Sequence, residues 1–308
     1  MRIVITGGSG LIGTALADHF LEKGQEVIIL SRNPEYKKRS PAGAKLVEWD
    51  GREPGAWAQW VDGAEAVINL AGAGIAGDSP LRMRWTAKRK NTILESRVKA
   101  GEAVSAAIRS AKVKPKVLIQ SSAVGIYGPR GDEIIDEGFP HGDDFLAEVC
   151  KQWETSTAPV EEMGVRRVVM RTGLVFAGRG GIFPLLKLPF SLFAGGPLGH
   201  GRQYLSWVHI EDIVQAVQHF IGNEHTQGVY NLTAPAPASN REFARLMGEA
   251  MNRPAFIPAP DFALKIALGE ASMLALEGQR VVPKRLQEHG FKLKYDSLEK
   301  ALPALLGS

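Results

Sequence analysis

The stretch Arg2-Ile3-Val4-Ile5-Thr6-Gly7-Gly8-Ser9-Gly10-Leu11-Ile12-Gly13 decides the fold. Arg2 to Thr6 is short, β-branched and apolar, as a buried strand is, and a glycine turn follows at once and opens into a helical pattern over Leu11 to Glu22. Gly7 permits a tight turn out of the strand, Gly10 lets backbone approach a pyrophosphate, and Gly13 lets the helix lie close on the sheet. The helix N-terminus then offers free N–H groups and a positive dipole end to phosphates. A second strand, Glu26 to Leu30, completes a βαβ unit. This context predicts a nucleotide at the turn, with Gly7, Gly10, Leu11, Ile12 and Gly13 as contacts; an ordinary structural turn is the alternative.

Working outward, the second strand ends at Ser31-Arg32-Asn33-Pro34, where dinucleotide folds select their cofactor. An NAD-selective site offers Asp or Glu to the ribose hydroxyl, whereas Ser31 and Arg32 offer a hydroxyl and a guanidinium suited to a 2′-phosphate. NADP(H) is therefore the expected cofactor, against the alternative that Arg32 is a solvated loop residue. A third strand, Lys45 to Trp49, ends at Asp50, which either accepts from an adenine amino group or caps the next turn. A fourth, Ala66 to Leu70, runs into the small-residue turn Ala71-Gly72-Ala73-Gly74. Strand ends line one crevice in a doubly wound sheet, which places Leu70, Ala71 and Gly72 beside the cofactor. Arg97, on the long helical stretch from about 84 to 109, either reaches a cofactor phosphate or pairs on the surface.

The strand from Lys116 delivers Ser121-Ser122-Ala123-Val124-Gly125-Ile126-Tyr127-Gly128. Together with the N-terminal turn, Arg171-Thr172-Gly173-Leu174-Val175, Trp207-Val208-His209-Ile210-Glu211-Asp212, the run Gly195 to Gln203 and the run Glu277 to Leu286, this segment resembles extended short-chain dehydrogenase/reductases. The last two runs are similar to an atypical epimerase-family subgroup, nucleoside-diphosphate-sugar epimerase-like. The resemblance spans essentially the whole chain. It implies an NADP(H)-binding Rossmann domain with a smaller domain closing over the substrate, and adds Ser31, Arg32, Leu70, Ala71, Arg97 and Val175 to the cofactor contacts.

Catalytic members of that family use a Ser or Thr with a Tyr-x-x-x-Lys pair, in which tyrosine exchanges a proton and lysine lowers its pKa. No Tyr-x-x-x-Lys occurs in this chain. If Glu148 stands at the lysine position, Asp144 stands at the tyrosine position, and Ala123 replaces the serine. Ser122 and Tyr127 are the polar groups left as catalytic candidates; capping and packing are their structural alternatives.

The remaining chain reads as follows. Residues 178 to 201 are loop-rich around an apolar run, Ile182 to Phe193, as a flexible substrate-side segment would be. His200, Arg202 and Gln203 bind a substrate phosphate or staple the loop. Asp212 is expected to cap a helix from Ile213, and Phe262 to Leu276 reads as one amphipathic helix. The expected division is a Rossmann domain over 1–173, with 205–233 returning to it, and a discontinuous, mainly helical substrate-side domain over 174–308.

An apolar content of 44% over 308 residues supports a large core, and a net charge of +4 without a nucleic-acid module argues against nucleic-acid binding. The single cysteine, Cys150, excludes an internal disulfide and a zinc cluster. With no signal core and no apolar run of about 18 residues, a cytoplasmic protein without membrane association is expected, acting on a small molecule. Oligomeric state stays open. Two readings follow: an oxidoreductase or epimerase-like enzyme on a small, sugar-derived or phosphorylated substrate, or a non-catalytic NADP(H) module that senses redox state through a protein partner.

Overall fold

In the computed structural model, residues 1–32, 41–75 and 84–307 are described. Along the chain, β1 (Arg2–Thr6), α1 (Leu11–Glu22), β2 (Glu26–Ser31), β3 (Lys45–Glu48) and β4 (Ala66–Asn69) form the first half. The second half follows with α2 (Ala87–Ser110), β5 (Val117–Ala123), a two-residue β6 (Ile134–Ile135), α3 (Phe145–Ser156) and β7 (Arg166–Thr172). Next come β8 (Leu174–Phe176), α4 (Phe183–Ser191), β9 (Tyr204–Leu205), β10 (Trp207–His209), α5 (Ile210–Gly222) and β11 (Gly228–Leu232). The chain then adds β12 (Ala238–Ser239), α6 (Asn240–Met251), α7 (Asp261–Leu268), α8 (Met273–Leu276), β13 (Arg280–Val281), α9 (Lys284–Glu288) and α10 (Leu298–Gly307).

Seven strands form one parallel sheet in the order β11-β7-β5-β4-β1-β2-β3. Alternation along each strand divides the core between its two faces. Ile3, Ile5, Ile29, Ile68 and Ile119 face α1 and α5, meeting Leu16, Phe20, Val217 and Phe220. Val4, Ile28, Val67 and Leu118 face the other way, onto Ala100, Val104 and Ile108 of α2. Helices thus cover both faces, the arrangement that buries a parallel sheet, and the chain is a doubly wound Rossmann-like α/β protein with a helical C-terminal region. Strand order reverses between β1 and β4, which opens the crevice for a ligand beyond their carboxyl ends.

A third core lies beside this sheet. Phe176 stacks on Trp207 with centroids 5.6 Å apart and joins Phe183, Phe190, Phe243, Met247, Leu302 and Leu305 from α4, α6 and α10. The outer edge of β11 is dressed by side chains. Arg285 donates to the carbonyls of Gln227 and Val229 at 2.8 and 2.6 Å, and the Glu137 carboxylate accepts from Asn231 N at 3.0 Å.

Several expectations need correction. The segment around Ile182 to Phe193 contains α4, because burying Phe183 and Phe190 on one side overrides its prolines; Pro184 stands in the first turn, where it needs no donor. The stretch Phe262 to Leu276 breaks at Gly269, whose φ of +59° ends α7 before a 3₁₀ turn and α8. Asp212 does not cap α5. His209 does, its Nδ1 accepting from Glu211 N at 3.2 Å, while Asp212 accepts from Lys294 N and Tyr295 N at 2.7 and 3.1 Å.

Candidate active site at the switch point

The end of β1 is tied to the end of β4 by one hydroxyl. Thr6 Oγ1 donates to Asn69 Oδ1 at 2.6 Å and accepts from the backbone N of Leu70 and of Ala71, each at 3.1 Å. This staple sets the glycine turn against the Leu70–Ala71 turn. Gly7 has φ +66°, and a Cβ there would stand 2.9 Å from Leu70 O. Gly10 N donates to Gly7 O at 3.0 Å, and Gly10 enters α1 without a side-chain cap, so the first turn of the helix is open to a ligand. A Cβ on Gly13 would meet Gly7 O at 2.5 Å and Gly8 Cα at 2.6 Å. Leu11 and Ile12 begin the helix, half-buried, and the Leu11 side chain packs beside Gly180 and Gly181, close to Val175 O.

Arg97 stands behind the second turn. It is buried on α2 and places Nη1 3.0 Å from Ala73 O and 2.9 Å from Ile93 O, with its guanidinium carbon 4.9 Å from the Trp153 ring centroid. Gly72 makes room for it, since a Cβ there would lie 3.0 Å from Arg97 Cζ. Burial lowers its pKa to about 10, and no carboxylate pairs with it among the described residues. A buried cation that meets carbonyls and one aromatic face, with no anion, keeps most of its charge uncompensated. The structure therefore brings Gly7, Gly10, Leu11, Ile12, Gly13, Leu70, Ala71, Gly72 and Arg97 around one crevice, with Val175 at its side.

Ser31 ends β2, half-buried, and its carbonyl accepts from Trp49 N at 3.0 Å; Arg32 follows it, exposed. Asn33 and Pro34 lie outside the described residues. Of the two alternatives for Asp50, its Oδ1 accepts from Arg52 N and Glu53 N at 2.9 and 3.2 Å, a turn cap. Gln203 staples its loop, donating to Leu198 O and Ala275 O at 3.0 and 2.7 Å.

Ser122 and Tyr127 both belong to a buried polar network that the sequence does not display. Ser122 Oγ donates to Glu154 Oε1 at 2.6 Å, and Arg171 grips both Glu154 oxygens at 2.9 Å. Arg171 also donates to Tyr127 Oη at 3.0 Å and meets His141 Nε2 at 3.0 Å, and Tyr127 Oη donates to Asn231 Oδ1 at 2.8 Å. Burial pushes the Tyr127 hydroxyl up, outweighing the Arg171 guanidinium beside it. It pushes the neighbouring Cys150 thiol up to about 11. For Arg171 burial works the other way, but the Glu154 carboxylate prevails and its pKa rises.

On α3, Asp144 is the N-cap, accepting from Ala147 N at 2.9 Å, and Glu148 accepts from Gln152 at the surface. Phe145 and Val149, also four residues apart, pack instead with Trp85, Ile93 and Ala271. Arg171 lies in a stretch singled out in the sequence; Glu154 carries no signal there, because its partners come from β5 and β7.

A glycine turn between a parallel strand and a helix at the strand-order reversal, with a buried guanidinium beyond it, defines a dinucleotide-binding protein of the short-chain dehydrogenase/reductase kind. Residues 3–233 match the NAD dependent epimerase/dehydratase family and residues 259–305 a domain of unknown function, DUF1731. The chain belongs to this epimerase family. It is 39% identical to the epimerase family protein YfhF of Bacillus subtilis over 99% of this chain and 98% of that protein. The crystal structure of the human epimerase family protein SDR39U1 with NADPH superposes with a TM-score of 0.89 at 34% identity, covering all of both chains. A nucleoside-diphosphate sugar epimerase from Corynebacterium glutamicum gives 0.79 at 33% identity, covering all of this chain and 58% of that one. No helix among the described residues is long and apolar enough to cross a membrane.

Proposed function

We propose that the chain binds NADP(H) at the switch point and is an oxidoreductase or epimerase-like enzyme acting on a small, sugar-derived or phosphorylated substrate. The observation that carries the cofactor is Arg97, a buried guanidinium with no carboxylate partner among the described residues, set against the Ala71–Gly74 turn. The glycine cradle takes the pyrophosphate, Arg97 supplies the countercharge, and Ser31 and Arg32 take the 2′-phosphate. The human relative, solved with NADPH, supports the choice. When bound, the cofactor supplies hydride chemistry, and Ser122 and Tyr127 stay the candidate polar groups. Glu154 holds Ser122 as an acceptor for its proton; Arg171 and Asn231 fix Tyr127. We further propose the division at residue 174, with 205–233 returning to the Rossmann domain and contributing Leu205 and Trp207 to the third core that it shares with the substrate-side part, and a reducing, cytoplasmic compartment suited to a lone thiol.

Titration with NADPH and NADH, repeated on Arg32→Ala, tests the reading. Loss of a charge-assisted hydrogen bond of about 1.5 to 3 kcal/mol weakens NADPH roughly 10- to 150-fold and leaves NADH unchanged. Equal NADPH affinity in the variant removes Arg32 from the site.

The second reading, a redox-sensing module, draws on α3, where Asp144 serves as a cap and Glu148 stays at the surface. It requires the NADPH-bound and NADP⁺-bound proteins to differ in oligomeric state or partner binding. Identical elution of the two forms, alone and with cell extract, excludes it.

A further inference from the structure

Away from the cofactor crevice, Gly195 to Gly201 packs between the N-terminus of α6 and residues 255–259. Every turn of this loop is fastened. Asn240, itself buried, holds Leu198 N with Oδ1 at 2.7 Å; Gly199 N donates to Ala259 O at 2.8 Å, Ala259 N to Pro197 O at 3.0 Å, and Ile257 N to Gly195 O at 3.0 Å. Gly196 leaves no space at all, since a Cβ there would fall 2.0 Å from Ile257 O. Between these walls lies a cavity of about 470 Å³ bordered by His200, Arg241, Arg245, Phe256 and two prolines. It shares no residue with the cofactor cradle, and its volume suits a small ligand.

The side chains that line it with charge or N–H donors are His200, Arg241 and Arg245, and the Asp261 carboxylate stands next to Gly199 in its wall. Arg241 and Arg245 stand four residues apart on α6, a like-charge spacing that disfavours the helix. Arg245 is answered by Glu249, which accepts from it at 2.7 and 2.8 Å. Arg241 is not: its guanidinium reaches only the His200 carbonyl, at 3.3 Å, and no carboxylate pairs with it among the described residues. His200 Nδ1 accepts from Arg202 N at 3.0 Å, so the neutral ring carries its proton on Nε2 and is a donor there. Beside these donors stands Phe256, 77% exposed on a segment whose backbone is otherwise pinned. An unanswered guanidinium, an imidazole N–H and a bare aromatic ring on a rigid frame form a two-part recognition surface, anionic at one end and planar at the other.

We propose that this cavity binds a phosphate monoester carried on an aromatic ring, with Arg241 and His200 taking the phosphate and Phe256 stacking on the ring. The site is separate from the dinucleotide crevice and goes beyond the function proposed above. Calorimetric titration of phenyl phosphate and of inorganic phosphate into the intact protein, with and without saturating NADPH, tests it. Phenyl phosphate binds equally in both conditions, and Arg241→Ala weakens it about tenfold or more, as does Arg241→Gln, which keeps the side-chain stem. Phe256→Ala weakens phenyl phosphate about fivefold or more and leaves inorganic phosphate within about twofold. Absence of binding to the parent protein overturns the proposal, as does undiminished binding in either Arg241 variant. Competition by NADPH overturns it too, by placing the probe in the cofactor crevice. A Phe256→Ala effect that is absent, or equal for both ligands, overturns the aromatic half. The runs without NADPH stand even if the protein fails to bind that cofactor, so failure of the cavity and failure of the cofactor reading are told apart.

Discussion

Glu154→Ala is expected to destabilise the protein by about 3 to 5 kcal/mol, because it leaves the buried Arg171 charge without its anion. The side chains of the pair are only 4% and 13% exposed, so solvent cannot replace the lost carboxylate, and the exposed-pair figure of about 0.2 to 1 kcal/mol does not apply. Three consequences converge on one residue. Arg171 loses two hydrogen bonds, Ser122 loses its acceptor, and the guanidinium that steadies Tyr127 is released. Thermal unfolding should shift down by on the order of 10 °C. The double variant Glu154→Leu with Arg171→Met should recover much of the loss, since an apolar pair leaves no unpaired charge. A single-variant loss below about 1 kcal/mol would mean that water reaches the pair.

The second large effect concerns Gly13→Ala. The new Cβ would press on Gly7 O and Gly8 Cα, which are backbone atoms and cannot rotate away. Overpacking of this kind costs about 1 to 3 kcal/mol, and it is relieved only by pushing α1 off the turn. The donors at the helix start then miss the pyrophosphate. Losing two charge-assisted hydrogen bonds predicts NADPH affinity lower by more than about 100-fold. Gly222→Ala, at the end of α5 with no atom within 4 Å of its Cβ position, is the control and should bind NADPH as the parent does. Retained affinity in Gly13→Ala would show that the turn is looser than its contacts imply.

Local chemistry makes the sheet and the glycine turn at its switch point legible in the sequence. Arg2 to Gly13 contains its own strand, turn and helix start, and the apolar runs at Glu26, Ala66 and Val117 have one geometry available once both faces are covered. Arg97 was half legible: its spacing on a helix could not say whether it faced inward, and only the room left by Gly72 decides it. The Glu154–Arg171 pair was invisible, because it joins α3 to β7 through a tertiary contact with no local pattern. Asp212 departs from its expected capping role for a similar reason. A carboxylate before a helical run is an ordinary cap, and nothing nearby reveals that Lys294 and Tyr295 return to claim it. The helix α4 is hidden in the sequence because two prolines mask a pair of phenylalanines whose partners, Trp207 and Phe243, come from elsewhere in the chain.

The side chains along β11 bear on how the molecule is made and kept apart from its neighbours. β7 must wait for Gly228 to Leu232 before its free edge is paired, and β11 then becomes the sheet border. A bare border offers its N–H and C=O groups to any other chain, a route to filaments. Here Glu137 and Arg285, drawn from segments far apart in sequence, occupy Asn231 N and the carbonyls of Gln227 and Val229. A nascent chain therefore exposes a sticky rim until residue 285 has been added, and the two charges that finally seal it serve colloidal safety.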